Sequence, residues 1–525
     1  MLTRNNKVIY LILILGLILR LIVINQSLWL DEAIGALAAR DFSYGGILTN
    51  FMHFDNHPPL YYLTLRFWTD IFGYSEISLR MPSVLFGVAT IYFVYLISKK
   101  ITYQSPTTNS ISLFSAILLA TSQFHIYYSQ EARMYSMATF FSTLSIYAFL
   151  FIVESTKKLK YWVIFSIATT TLIFTDYMPV FLLPVFFVYP IFRKKDWQWW
   201  KKYFLTFVPI LFLGFLWLPT LLIQFSKGKW LLETLPSWKN VAGGATLKQL
   251  ALVWTKFSLG RITFLDKYFY YSLIFVASTP FIIALFRAFT NTEHFNARMK
   301  RTQRNKLVEP KGREYRGLLA IGSLFSALRK GRFLLIWLWL TIPLLLGFIV
   351  SFLFPAFIYF RYLYIVPAFY LLVSIGVQGF RKKIVKVVLM ASLLFVNIFS
   401  YFVYILDPHQ QREMWREATQ FVEDNAKDAE IIIFEFTEPF APYKWYARGL
   451  VAARGVTDSI SANPESTSQL TSDTIKDKKG VYYFEYLRDL SDPQRVVEGT
   501  LKNQGFSVNK IYNYVGVGQI YYWTR

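Results

Sequence analysis

The sequence predicts a polytopic α-helical membrane protein of about eleven transmembrane helices with a C-terminal extracytoplasmic α/β domain, and three observations carry that prediction. Hydrophobic residues fill 54% of the 525 positions against 17% charged, and the mean hydropathy is +0.36, more apolar than a soluble domain. Apolar runs suited to a bilayer, which needs about 20 residues per span, recur up to residue 406. From Asp407 the pattern changes to short alternating elements with turn signals between them. The same composition excludes disorder, collagen, coiled coil and a small secreted scaffold. With no cysteine, disulfides, thiolate metal sites and cysteine nucleophiles are excluded too.

The apolar runs lie near residues 8–25, 81–98, 110–127, 134–153, 160–175, 177–192, 203–223, 269–289, 333–354, 362–379 and 384–405. Those at 160–175 and 177–192 abut at Thr175-Asp176-Tyr177 and are read as a hairpin. The net charge of +23 is uneven: residues 407–525 carry −3 and the remainder +26. Basic charge among apolar spans sets topology rather than a nucleic-acid groove. Loops at 1–7, 99–109, 154–160, 193–202, 287–332 and 380–386 hold 28 Lys and Arg, against 12 in the opposite set. The first set is therefore expected in the cytoplasm, with the N-terminus, and the tail outside. The first run lacks a small-x-small cleavage site and is read as a retained span, with Arg20 expected to snorkel to the outer interface.

The chain is expected to divide into a transmembrane domain, 1–406, whose first outer loop is 26–80, and an extracytoplasmic domain, 407–525. The tail reads as a helix at Met414–Asn425, a strand at Ile431–Phe436, a strand at Val481–Tyr486, a helix at Pro493–Asn503 and a β-rich end at 506–523. Residues 457–474, rich in Ser, Thr, Asn and Asp, read as a loop. Residues 291–332 read as a mobile basic loop, with a short interfacial helix at 318–328 for anionic lipid.

Five segments carry chemistry. Asp31-Glu32 follows the first span beside Trp29, where desolvation favours a raised carboxylate pKa and general-base work. The structural alternative is that Asp31 is an N-cap for a helix at 32–40. In Asp55-Asn56-His57-Pro58-Pro59-Leu60 the prolines start a helix, putting His57 at an N-terminus suited to phosphate; a plain surface helix is the alternative. Glu131 and Arg133, in Tyr128-Ser-Gln-Glu131-Ala-Arg133-Met-Tyr135, are two apart and would not face each other on a helix; a loop ion pair is the bland reading. Asp176 alone reads as a turn cap. Arg361, followed by Tyr362, is placed either to clamp a lipid phosphate or to anchor a span at the interface. Seven further Lys and Arg in the outer loop 224–268 break the positive-inside pattern in a way that an anionic lipid-linked ligand explains.

Taken in order, the acidic pair, His-Pro-Pro-Leu-Tyr-Tyr, Glu-Ala-Arg-Met-Tyr, Thr-Asp-Tyr, Arg-Tyr-Leu and the Arg412–Glu417 opening of the tail resemble the lipid-dependent glycosyltransferases of the GT-C fold. The branch resembled is that of the bacterial relatives of protein O-mannosyltransferases and aminoarabinose transferases (glycosyltransferase families 39 and 83), over roughly residues 8–450. The resemblance implies Asp31 as catalytic base with Glu32 supporting it, two juxtamembrane helices in the first outer loop, and a polyprenyl-phosphate-linked sugar donor. It implies His57 and Arg361, with Tyr362, at the donor phosphate, and substrate-binding or structural roles for Glu131, Arg133, Tyr135 and Asp176. His57 stands where the aminoarabinose branch has lysine, and Ile34 where that branch has arginine.

The chemistry agrees independently. A polyprenyl phosphate leaving group asks for a base on the acceptor hydroxyl and cations on the departing phosphate. The expected partners are the lipid-linked donor, membrane lipids and an extracytoplasmic acceptor, with no nucleic acid. No cofactor is expected to be required, although the acids suit a divalent metal such as Mg or Mn. The alternative from another class is a transporter or flippase of lipid-linked saccharides, which asks for charges paired deep in the spans.

Overall fold

The computed structural model describes residues 4–103, 105–155, 158–235, 237–238, 242–304 and 332–525; the interfacial helix expected at 318–328 lies outside them. The chain forms two compact units, one of residues 1–22, 82–218 and 243–403, the other of 23–81, 219–242 and 404–525.

The first unit is helical. Every predicted apolar run falls on a helix. Seven helices among the described residues are long and apolar enough to cross a membrane, or eight if the pair Thr108–Thr121 and Gln123–Ser129, bent by 59°, is counted as one span. The shorter apolar helices Leu159–Thr175 and Met178–Phe192 meet at Asp176 and Tyr177, as the hairpin reading predicts.

The bend frees carbonyls that lipid cannot satisfy, so side chains must. Asn397 Nδ2 donates to Leu118 O at 3.0 Å, and Arg20 Nη1 donates to Ala120 O at 3.2 Å and to Gly16 O at 2.8 Å. Arg20 is fully buried and sits 2.7 Å from His125 Nδ1. It does not snorkel: the carbonyls and imidazole inside the bundle satisfy the guanidinium where it stands. A second correction concerns residues 291–304, read as loop. The helix from Lys267 runs to Arg304, since Ala, Arg, Met, Lys and Gln there are good helix formers.

In the second unit, helices Leu30–Asp41 and Leu60–Phe72 lie in the first loop, where the resemblance implies two. The tail folds as a five-stranded sheet of order β2-β1-β3-β5-β4, with β1 at Glu430–Phe434, β2 at Ala453–Gly455, β3 at Gly480–Phe484, β4 at Ser507–Tyr514 and β5 at Gly518–Thr524. β1 is parallel to β2 and β3 and, like β3, buried at every position, as expected of parallel strands covered on both faces. Trp415, Phe434, Phe440 and Phe484 fill one face; Ile433, Val481, Leu501 and Trp523 fill the other.

The predicted loop at 457–474 contains a helix, Pro464–Ile475. Asn463 caps it by accepting from Glu465 N and Ser466 N, Pro464 opens it, and Thr467, Thr471 and Ile475 bury one face at fourfold spacing. Its polar composition hid the stripe.

Glu435, next after β1, is fully buried, and neither carboxylate oxygen has a hydrogen-bond partner among the described residues. Burial, then the charge of Asp492, push its pKa from 4.5 up to about 10. The folded chain then holds a proton that the unfolded chain releases above 4.5, so stability falls as pH rises, by about 3 kcal/mol at pH 7. Glu435→Gln should raise the thermal midpoint at pH 7 and leave it nearly unchanged near pH 4.5. Unchanged midpoints at both pH values would rule out a buried neutral carboxyl.

Candidate active site

In the second unit, the helix carrying the acidic pair begins at Leu30 with Trp29 as its N-cap. Asp31 therefore lies in the first turn and is not the cap. Its neighbour Glu32 is fully buried and locked to Arg80, itself 1% exposed. Arg80 Nε and Nη2 reach the two Glu32 oxygens at 2.9 and 2.6 Å, the bidentate geometry that makes arginine pairs strong. The remaining guanidinium donors go to the carbonyls of Ile24 at 2.6 Å, Gln26 at 2.7 Å and Ser27 at 3.0 Å. One side chain thus ties the extended segment entering the helix to the helix's first turn. Asp31, half-buried, is carried on that fixed frame.

The His-Pro-Pro segment behaves as its prolines predict: the helix starts at Leu60 with Pro59 as N-cap. Asp55 Oδ1 accepts from His57 N and contacts His57 Nδ1, both at 2.8 Å, and Asp55 Oδ2 accepts from Tyr62 at 2.9 Å. With Nδ1 on Asp55, Nε2 is the ring nitrogen available to a ligand. Gln224 Nε2 donates to the carbonyls of Met52 at 2.9 Å and His57 at 3.0 Å.

The tail packs onto the same segment. Arg416 bonds Ser27 Oγ through its amide at 3.0 Å and Glu76 through Nη1 at 3.1 Å. Tyr446 accepts from Leu28 N at 2.8 Å and donates to Glu76 at 3.1 Å.

In the first unit, Glu131 and Arg133 are buried in the turn between helices Gln123–Ser129 and Tyr135–Glu154. The Tyr135 ring packs on Tyr128 and Phe360, with centroids 5.4 and 5.3 Å away. Asp176 accepts from Met178 N at 3.1 Å, as a turn residue does, and Tyr364 donates to Met178 O at 3.2 Å. Arg361 lies in the 3-10 turn Tyr359–Ile365, half-buried. Its guanidinium makes no hydrogen bond or ion pair with other described residues. Tyr362 is fully buried, its hydroxyl against Gly347, where a Cβ would lie 1.8 Å away.

Reading the sequence missed several of these residues. Lys256 and Arg261 counted only among seven outer cations, yet Lys256 is 3% exposed. Its Nζ donates to Ile262 O at 3.2 Å and lies 5.8 Å from the Tyr359 ring centre. Burial, then the Arg261 charge, lower its pKa to about 7. Arg261 bonds Tyr127 and stacks on its ring at 4.2 Å, with Glu131 in electrostatic range. Nothing in the spacing marks Arg80 as the partner of Glu32. Asp55, two residues before His57, carried the local signal of an Asx turn. Among the described residues no three His, Asp or Glu side chains are grouped to hold a metal ion.

The fold defines the class. The chain is similar over 98% of its length to ArnT from Cupriavidus metallidurans, covering 97% of that protein, with a TM-score of 0.55 at 9% identity in the apo state. For the same protein bound to undecaprenyl phosphate the coverage is the same, with a TM-score of 0.50 at 10% identity. This is the GT-C fold, and the resemblance read from the motifs is borne out. More narrowly, residues 56–223 match the family model of dolichyl-phosphate-mannose-protein mannosyltransferases. An uncharacterised protein of Aquifex aeolicus (strain VF5) is 30% identical over 174 residues, 32% of this chain and 33% of that protein. The chain thus matches about a third of the length of that curated relative.

Proposed function

We propose that the protein is a membrane glycosyltransferase that moves a sugar from a polyprenyl-phosphate donor to an extracytoplasmic acceptor: a glycolipid, a polysaccharide or a protein. The observation that carries this reading is the Arg80 fork, which fixes Glu32 and leaves the half-buried Asp31 on a rigid first turn. Asp31 takes the acceptor's hydroxyl proton, the oxygen attacks the anomeric carbon, and the bond from that carbon to phosphate breaks. The polyprenyl phosphate leaves with the electron pair, gaining charge that cations must offset. Glu32 supports Asp31 by holding its backbone. No feature favours the transporter reading.

His57, Arg361 and Tyr362 are each proposed, from the resemblance, as donor-phosphate contacts. Glu131, Arg133, Tyr135 and Asp176 are assigned structural or substrate-binding roles. The test is single-turnover transfer from a synthetic polyprenyl-phosphate sugar. Arg361→Ala should weaken donor binding and slow transfer, with Arg361→Lys rescuing only partly, because lysine lacks the two-pronged contact. His57→Lys should stay active. Full activity in Arg361→Ala would remove that residue from the donor site.

The Lys and Arg asymmetry supports a cytoplasmic N-terminus and an extracytoplasmic Asp31, His57, Glu131 and tail. Single cysteines introduced beside these positions should label from outside in intact cells, aided by the cysteine-free background. A tail labelled only after the cells are opened would reverse the topology.

A further inference from the structure

The sheet of the tail is wound both ways from β1. The chain leaves β1 for β2 on one side and crosses back to β3 on the other. The helix of the first connection, Ala441–Tyr446, packs through Tyr443 on the face of Phe434 and Phe484. That of the second, Pro464–Ile475, packs through Ile475 on the opposite face, with Ile433 and Tyr483. The carboxyl ends of β1 and β3 are therefore a topological switch point, the place where open α/β sheets bind ligands.

The residues there are polar and incompletely paired. Phe434 pairs with Phe484, so Glu435 and Glu485, the next residues, stand side by side and continue the face of Ile433 and Tyr483. Arg488 reaches Glu485 Oε1 at 2.5 Å and Glu498 Oε1 at 2.9 Å, and Asp492 accepts from Val496 N and Val497 N, both at 3.0 Å. Glu485 Oε2, both oxygens of Glu435 and the hydroxyls of Tyr483 and Thr467 have no hydrogen-bond partner among the described residues; Glu435, Tyr483 and Thr467 are fully buried. Ile475 lies beside the start of β3, its carbonyl accepting from Lys478 N at 3.0 Å. Thr467 is two turns back along that helix, about 12 Å, which brings it level with the ends of the strands.

Buried polar atoms without partners call for water or a ligand to complete them. One guanidinium stands among four carboxyl groups, Glu435, Glu485, Asp492 and Glu498, so the surroundings favour a cation, and acceptors outnumber donors. A primary ammonium meets both conditions, with one charge and three N–H donors. The burial of Glu435 limits the ligand to a small one, while the half-buried Glu485 and Glu498 give it a way in.

We propose that the carboxyl ends of β1 and β3 bind a small primary amine, its ammonium group on Glu435 and Glu485 with Thr467 and Tyr483 around it. Such a site is independent of the transferase reading. In the empty site Glu435 keeps its proton, because burial and then the charge of Asp492 hold its pKa up to about 10. When the ammonium pairs with the carboxylate, that proton leaves to solvent.

The test is calorimetric titration of the full chain in nanodiscs at pH 7, in two buffers of different ionisation enthalpy, with hydrogen exchange on the same samples. Methylammonium should bind, release about one proton per site and protect the peptides spanning 433–437 and 483–492. Tetramethylammonium, which has the charge but no N–H donor, and methyl glucoside, which has hydroxyls but no charge, should do neither. Glu435→Gln should raise the half-saturating concentration of methylammonium about tenfold or more, the scale of a hydrogen bond to a charged group, and abolish the proton release. Glu485→Gln should weaken binding and keep the release, a split that a merely structural pair of carboxyls would not show. Equal binding of tetramethylammonium would mean charge attraction alone, binding of the glucoside a sugar site, and no binding at all a cluster completed by ordered water; each would overturn the proposal, as would variants that titrate like the parent.

Discussion

Asp31→Asn is expected to lower transfer by about 10²- to 10⁴-fold, the range that loss of a general base produces, while the protein remains folded and binds donor. Folding should survive because the frame is held by the Glu32–Arg80 fork and the carbonyls that Arg80 ties. Trp29 is the N-cap of the helix, the Glu32–Arg80 fork is untouched, and removing one acid from a first turn costs about 0.3 to 1 kcal/mol. Donor binding should survive because the proposed phosphate contacts are other residues. The decisive comparison is the single-turnover rate at saturating donor beside the donor dissociation constant. A variant that loses both in step would mark Asp31 as a binding residue, and one with near-normal turnover would remove it from the chemistry. Asp31→Glu should recover only part of the rate, since one extra methylene displaces the carboxylate from a position that the fork holds fixed.

What was legible in the sequence is what local pattern encodes. Apolar runs place the helices, an acidic pair after the first run marks Asp31 and Glu32, and paired prolines place the helix after His57. What was not legible depends on partners far along the chain. Arg80 lies 48 residues from Glu32, Tyr486 lies 73 from Glu413, and no periodicity joins them. Arg20 was misread for a related reason: an arginine near the end of an apolar run has the same signature whether it faces lipid or the bundle, and only the bend at Ser122, with its freed carbonyls, decides. The helix Pro464–Ile475 carries its start signal in Asn463-Pro464, masked by the Ser and Thr content that marks a loop. Lys256 shows the limit of counting charge. Its sign was visible in the outer loop, and its burial beside Tyr359 and Tyr270 was not.

The second large effect is expected at Arg80. Arg80→Ala removes the bidentate guanidinium from the buried Glu32 carboxylate and strips three backbone carbonyls of that donor, a loss of about 3–5 kcal/mol for breaking a buried pair. The thermal midpoint of the purified protein should drop accordingly. Transfer should fall beyond what the folded fraction explains, since the segment 24–27 and the first turn at Asp31 lose their common tie. Arg80→Lys keeps the charge but, as a compact ammonium with three donors, cannot reproduce a fork and three carbonyl contacts at once, so it should fall between the two. Glu32→Gln should be milder than Arg80→Ala, because the three carbonyls remain on the guanidinium and the amide still accepts one hydrogen bond. Combining Glu32→Gln with Arg80→Ala should cost less than the sum of the single changes, since a neutral amide no longer needs a counter-charge. Additive losses in that cycle would mean that the two side chains act independently, and an unaltered midpoint and rate in Arg80→Ala would mean that the fork does not hold Asp31 at all.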